Sequence, residues 1–168
     1  MHVTTTDFRA ALGAFATGVC VAATRDAGGA PAGVTVNSFA SVSLEPPLVL
    51  FCLGRGGTAL ARFSAAPSWA IHVLADNQRD LARRFALSRR HAPGVDPWDG
   101  LAWEEDETRL PVIPGCLARL TCLADRVVEG GDHAILLGRV ERLSWEKAGR
   151  PLLYFRGRYE AVAEAHPA

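Results

Sequence analysis

Hydroxyls and an amide stand between apolar residues in Gly33-Val-Thr-Val-Asn-Ser-Phe-Ala-Ser-Val-Ser-Leu-Glu-Pro-Pro47, a run that stops at a double proline. On an extended chain Thr35, Asn37, Ser41 and Ser43 share one parity and Val34, Val36, Val42 and Leu44 the other, with a bend expected at Ser38-Phe39-Ala40. One face then offers polar groups while the other joins a core. Neutral donors and acceptors of this kind, with backbone N–H groups freed at the bend, suit a ligand carrying carbonyls, ring nitrogens and a phosphate. They suit a metal or a nucleophilic reaction less well. The same pattern also describes a plain polar strand face with a Ser-rich turn.

Three further places invite chemistry. Gly54-Arg-Gly-Gly-Thr-Ala59 follows an apolar strand and has the G-x-G-x-x-A form of a dinucleotide-binding turn. The helix from Thr58 must end near Ser64, before Pro67, and no alternation of long helices and strands follows, so a phosphate cradle of backbone N–H groups and the Thr58 hydroxyl is the better use. Arg83 and Arg84 end a helix, where they serve either the helix carbonyls or a phosphate. His133 leaves the turn Glu129-Gly-Gly-Asp132, as a solvated turn residue or as a group facing a ligand. The five histidines show no metal-ligand spacing, and no G-x-S-x-G elbow, Walker lysine or Ser-His-Asp order is present, so no metal is assigned and acyl and phosphoryl transfer have no support.

The elements that must position these residues are mostly strands. A length of 168 residues at 49% hydrophobic suits one domain, residues 1–168, around a single core. Equal numbers of acidic and basic residues, 18 each, argue against nucleic acid or an acidic membrane as partner and point to an oligomer that covers apolar surface. The four cysteines lack C-x-x-C spacing and read as reduced core thiols. The start shows no basic-then-apolar leader, and no apolar run approaches the ~20 residues of a membrane span, so a cytoplasmic protein is expected. Thr5 to Asp7 should cap a helix carrying Phe8, Leu12 and Phe15 on one side and ending at Gly18. A second helix is expected over Asn77 to Leu87 with Asp76 as its cap. Strands are expected at 19–24, 48–53, 69–74, 117–128, 134–143 and 152–155, with no regular structure over most of Ser88 to Pro114. Antiparallel strands with few helices argue for a closed or nearly closed β-barrel.

Gly33 to Pro47, with Leu48-Val-Leu-Phe-Cys-Leu53, resembles the G-x-T-x-N-S-F-x-S-V-S-x-x-P-P-L-V segment of the flavin reductase-like, FMN-binding split-barrel family. Phe8-Arg-Ala-Ala-Leu-Gly-Ala-Phe-Ala-Thr-Gly-Val19, the Gln78 to Ala86 helix with its Arg-Arg-Phe-Ala end, and Gly131-Asp-His133 agree in order, and Pro151-Leu-Leu-Tyr-Phe-Arg-Gly-Arg-Tyr159 closes the match. The resemblance implies a mainly β protein, an FMN-binding split β-barrel with a few short helices, homodimeric, with flavin near the subunit interface. It implies hydride transfer from NADH, or NADPH, to FAD or FMN, and delivery of reduced flavin to a partner flavin-dependent monooxygenase.

By the same resemblance Thr35, Val36, Asn37 and Ser38 run along the isoalloxazine edge, Ser41 and Cys52 join the cofactor contacts, and Gly54, Gly57 and Thr58 meet the phosphate. Arg84 clamps that phosphate and Phe85 flanks the ribityl chain, while His133 faces the ring and positions the nicotinamide, with Tyr154 and Arg158 as further nicotinamide contacts. Members of the family commonly carry serines where this chain has Gly56 and Gly57, so here the backbone and Thr58 would have to serve. Two other uses fit the same residues: a tightly held flavin acting directly on an organic substrate, and a flavin or haem carrier without turnover.

Overall fold

The computed structural model describes residues 2–86 and 96–163. In chain order the elements are α1 (Thr5–Leu12), β1 (Thr17–Gly18), β2 (Cys20–Arg25), β3 (Pro31–Val36), β4 (Ala40–Leu44), β5 (Pro47–Gly54), α2 (Thr58–Ala65) and β6 (Ser68–Val73). A 3₁₀ turn at Asp76–Gln78 leads into α3 (Arg79–Ala86), followed by β7 (Glu104–Glu105), β8 (Pro111–Val112), β9 (Ala118–Gly130), β10 (His133–Trp145), β11 (Leu152–Phe155) and β12 (Arg158–Ala161). The chain is mainly β, as its pattern predicts.

Seven strands form one sheet in the order β3-β2-β6-β9-β10-β5-β4, every pairing antiparallel. β2 is buried on both faces, which is why its sequence is a continuous apolar run without alternation. Cys20 and Ala22 join a cluster with Val34, Val36, Phe51, Phe63, Trp69, Ile71 and Leu136. Val21 and Ala23 join a second one with Leu74, Ala82, Phe85, Trp98, Ile113 and Leu152. Each large side chain so buried contributes roughly 1.5–3 kcal/mol. Gly138 is required by this packing, because a Cβ there would lie 2.3 Å from Cζ2 of Trp69.

The hydrogen-bond ladder does not close on itself: β3 and β4 are its two edges. What draws the end of β3 onto β5 is a side chain, since the Ser38 hydroxyl accepts the Cys52 N–H at 2.9 Å and donates to the Cys52 carbonyl at 3.4 Å. Register shifts between Leu137 and Gly138 and between Val140 and Arg142 bend the β9–β10 hairpin.

Several expectations are corrected. The apolar parity of β4 does not enter a core: Leu44 is 93% exposed and Val42 is also exposed, because β4 is an edge strand paired only to β5. The double proline does not end the segment, for Glu45 and Pro46 turn it into a hairpin whose second strand starts at Pro47. α1 closes at Gly13, Gly18 lies in β1, and the capping oxygen is that of Thr4, which accepts the Asp7 N–H at 3.1 Å. Phe8, Leu12 and Phe15 are all exposed, so the helix stripe meets no surface within the described residues. At the second expected helix the N–H of Ala75 goes to Gln78 Oε1 at 3.0 Å, while Asp76 pairs with Arg150 at 2.9 Å; Leu87 lies outside the described residues.

The described part of the long excursion, 96–114, holds a hairpin where no regular structure was expected: Glu104 pairs Val112 and Glu105 pairs Pro111. Its acidic run is what docks it. Glu105 pairs with Arg25, Asp106 with Arg119 and Glu107 with Arg142, arginines from β2, β9 and β10. Beneath it the buried His72 offers Nδ1 to the Val21 carbonyl at 3.3 Å and accepts the Ile113 N–H on Nε2 at 3.2 Å.

Candidate functional site

Register brings the separate blocks together. Gly54 stands opposite His133 and Cys52 opposite Ile135 in the β5–β10 pairing, and the Arg55 N–H reaches the Asp132 carbonyl at 2.9 Å. Ser38 ties the end of β3 to the same strand. The result is a cavity of about 310 Å³ lined by Val34 to Ser38, Cys52 to Gly54, Ala86 and His133. A second hollow of about 190 Å³, sharing Thr35, Asn37 and Ala86 with the first, adds Val19, Tyr154 and Tyr159.

Of the residues named from sequence, Thr35, Val36, Asn37, Ser38, Cys52, Gly54 and His133 therefore share one cavity, and Tyr154 lines the adjoining one. Ser41 is exposed on β4 opposite Val49 and lines neither. Gly57 is the N-cap of α2, and Thr58 lines a different cavity with Gly33. Arg158 is exposed at the start of β12, paired with Phe155.

Phe85 is fully buried. A Cβ on Gly33 would lie 2.6 Å from its ring, and its ring meets Trp98 edge-on at 4.8 Å. The ring thus supports β3 from behind, and the glycine that opens the G-x-T-x-N pattern is the clearance it needs. Arg84 holds a backbone segment, its Nε donating to the Pro97 carbonyl at 2.6 Å and a terminal nitrogen to that of Asp99. A phosphate at Arg84 would compete with both carbonyls.

The hydroxyls are likewise committed. Thr35 Oγ1 donates to the Ala82 carbonyl at 2.7 Å, fastening β3 to α3, and Ser38 is held by Cys52. What the wall leaves open is the Asn37 amide, without a partner among the described residues, and the outward backbone groups of β3 as an edge strand. Residues that pattern reading missed are Val19, Val34, Leu53, Ala86 and Tyr159. Tyr159 was findable: the tight Arg156-Gly157 turn sets Tyr154 opposite Tyr159, with ring centroids 5.5 Å apart, and alternation then turns Arg158 to the other face. Burial, then the neighbouring Tyr154, pushes the Tyr159 phenol up.

His133 Nδ1 lies 2.8 Å from Asp132 Oδ1, which leaves Nε2 for a ligand. That hydrogen bond from His133 holds the Asp132 carboxyl below its ordinary range. His133 is the one titratable side chain, apart from the Cys52 thiol, on walls otherwise made of Val34, Val36, Leu53, Gly54 and Ala86 with the neutral polar Thr35, Asn37 and Ser38. Among the described residues no three His, Cys, Asp or Glu side chains converge on a point that could hold a metal. Apolar walls with an amide, edge-strand backbone and one imidazole on the rim fit a flat, neutral heteroaromatic ring such as that of a flavin.

Comparison with known proteins agrees. The flavin reductase like domain model matches residues 12–163, and the chain belongs to that family of oxidoreductases. It is 43% identical to the FMN reductase (NADH) SmoA of Agrobacterium fabrum, over 90% of this chain and 83% of that one. It is 38% identical to HsaB, the reductase subunit of a flavin-dependent monooxygenase of Rhodococcus jostii, over 92% of this chain and 76% of HsaB. Among solved structures, the NADH:FAD oxidoreductase SgcE6 of Streptomyces globisporus superposes with a TM-score of 0.88 at 40% identity, covering 95% of this chain and 94% of SgcE6. SgcE6 solved with NAD and FAD fragments matches with a TM-score of 0.86.

Proposed function

We propose that this chain is an NADH:flavin oxidoreductase that reduces FAD or FMN and releases reduced flavin to a partner flavin-dependent monooxygenase. The observation that carries this reading is the single cavity that gathers Val34 to Ser38, Cys52 to Gly54 and His133, three blocks far apart in sequence. The names of SmoA, HsaB and SgcE6 support the same donor and acceptor. The flavin supplies the chemistry when bound, taking up the hydride that NADH gives up. The chain's own work is positioning and exclusion of water. Val34, Val36 and Leu53 make the dry wall, Asn37 and the β3 edge meet the polar rim of the ring, and His133, steadied by Asp132, offers Nε2 to the nicotinamide amide. Tyr154 lines the adjoining hollow, where the rest of the nicotinamide nucleotide extends.

The fold is read as one FMN-binding split-barrel domain over 1–168 that pairs as a homodimer. The exposed Phe8, Leu12 and Phe15 of α1, Val42 and Leu44 of β4, and Leu143 and Trp145 of β10 support pairing, since an apolar surface of this kind is stabilised by burial against a second copy. The protein is placed in the cytoplasm, where NADH and a partner oxygenase are at hand. None of the described helices is long and apolar enough to cross a membrane.

Steady-state oxidation of NADH and of NADPH with added FAD, FMN and riboflavin tests the reading. NADH oxidation should rise and saturate with free flavin. Turnover that ignores added flavin, with a stoichiometric flavin retained by the protein, would replace it with the tightly held flavoprotein.

A further inference from the structure

The turn that delivers His133 to the cavity also sets what its ring can do there. Gly131 has φ +68, a conformation glycine adopts without steric penalty, and it reverses the chain between Gly130 and His133, which pair with each other across the β9–β10 hairpin. On its other side His133 pairs with Gly54, so its backbone is fixed by both neighbouring strands. Asp132, between Gly131 and His133, is anchored through its carbonyl, which accepts the Arg55 N–H at 2.9 Å. With both backbones held, the Asp132 carboxyl stands beside the imidazole, Oδ1 lying 2.8 Å from Nδ1.

The sense of that hydrogen bond follows from the acid. Asp132 is kept below the ordinary carboxylate range, first by the hydrogen bond from His133, and an ionised carboxylate can only accept. Nδ1 must therefore carry the hydrogen, and in the neutral ring Nε2 then has none and can only accept. No other polar side chain on this wall is so constrained toward a ligand. The Thr35 and Ser38 hydroxyls are bound to the Ala82 carbonyl and the Cys52 backbone, and the Asn37 amide offers donor and acceptor alike. A nicotinamide carboxamide has an oxygen that accepts and an NH₂ that donates, so only one of its two orientations matches an accepting Nε2.

We propose that Asp132 is a positioning residue for the hydride donor: it holds the hydrogen on Nδ1 of His133, so that Nε2 takes an N–H of the nicotinamide carboxamide and the carboxamide oxygen points away from the imidazole. The donor this selects is a dihydropyridine bearing a primary carboxamide, in preference to one bearing a ketone. The proposal rests on the NADH:flavin reading of the cavity. The Asp132 and His133 side chains are 94% and 47% exposed, so the pair is weak in open solvent, and a nicotinamide lying over it excludes water and strengthens it.

Steady-state kinetics with NADH and with reduced acetylpyridine adenine dinucleotide, whose ring carries a methyl ketone and no N–H, test it in the parent and in Asp132→Asn. The variant keeps the size of the side chain and removes the obligatory acceptor. The two donors differ in potential, so the quantity to compare is the ratio of their kcat/KM values, in which that difference is common to both proteins. Asp132→Asn should lower kcat/KM for NADH roughly three- to tenfold and leave the ketone donor and flavin affinity within about twofold, so that the preference for the carboxamide narrows. Nitrogen NMR of the neutral His133 ring, its signals identified by their loss in His133→Ala, should show the hydrogen on Nδ1 in the parent and shared between the two nitrogens in Asp132→Asn. Equal losses for both donors, no loss for either, or a parent ring with its hydrogen on Nε2 overturns the proposal. A parent that oxidises neither donor with any added flavin sinks the flavin reading itself.

Discussion

Around the cavity that gathers Val34 to Ser38 with His133, the Asn37 amide and Nε2 of His133 have no partner among the described residues. In the β7–β8 hairpin, by contrast, Glu105, Asp106 and Glu107 are each paired with an arginine of a different strand. Asp106 goes further, accepting on Oδ1 from the Thr108 N–H at 2.8 Å, the Thr108 hydroxyl at 2.6 Å and the Leu110 N–H at 3.0 Å. Burial works to raise the Asp106 carboxyl, but these hydrogen bonds and Arg119 outweigh it and hold it below its ordinary range. Polar residues with partners hold a loop in place, and those without are available to a ligand. A residue's type does not say which role it has; its neighbours do.

The contrast can be broken at its strongest point by Asp106→Ala. Removing the carboxylate leaves Arg119, whose side chain is only 19% exposed, without its counter-charge, and should cost about 3 kcal/mol of stability. Urea unfolding should show that loss while FMN affinity, measured where the variant is folded, stays within about twofold. A selective fall in flavin affinity without loss of stability would place the hairpin in the site.

The same hairpin should be acid-sensitive through His72. Burial, then the nearby Arg119, pushes this imidazole down from 6.5 to about 4. The folded pKa is depressed, so the unfolded chain binds the proton first. The contribution is fully present above pH 6.5, declines as pH falls from 6.5 to 4, and changes no further below. Across that window the change amounts to about 3 kcal/mol at ~1.4 kcal/mol per pH unit. Unfolding free energies at pH 7 and pH 4 should differ by that much more in the parent than in His72→Gln, and equal pH slopes would mean that His72 is not the group responsible.

On the open side of the comparison, His133→Ala should do the reverse. Stability and flavin affinity should be nearly unchanged, while kcat/KM for NADH falls by roughly one to two powers of ten, the equivalent of one lost positioning contact of ~1–3 kcal/mol. Stopped-flow reduction matching the parent at every NADH concentration would make His133 a solvated turn residue and leave Tyr154 and Tyr159 to hold the nicotinamide.

Much of this was legible from local pattern. Alternation at Val34 and Val36, the turn before His133 and the Thr58 helix start are short-range consequences of sterics and hydrogen bonding, and they lie where sequence puts them, while the bend expected at Ser38 to Ala40 begins at Asn37 and is over by Ala40, the first residue of β4. The ordered blocks from Phe8 to Tyr159 were enough to identify the family.

Tertiary structure decided which of the chosen side chains are available. Thr35 and Ser38 have the right type and parity for a ligand, yet their hydroxyls meet the Ala82 carbonyl and the Cys52 backbone, partners brought up by α3 and β5. Arg84 and Phe85 sit in the expected motif but face Pro97, Asp99 and Gly33. Residue type and spacing determine what a side chain can bind. Which atom reaches it first depends on contacts between segments 14 to 47 residues apart, and these exist only once the sheet has curled and α3 has packed against β3.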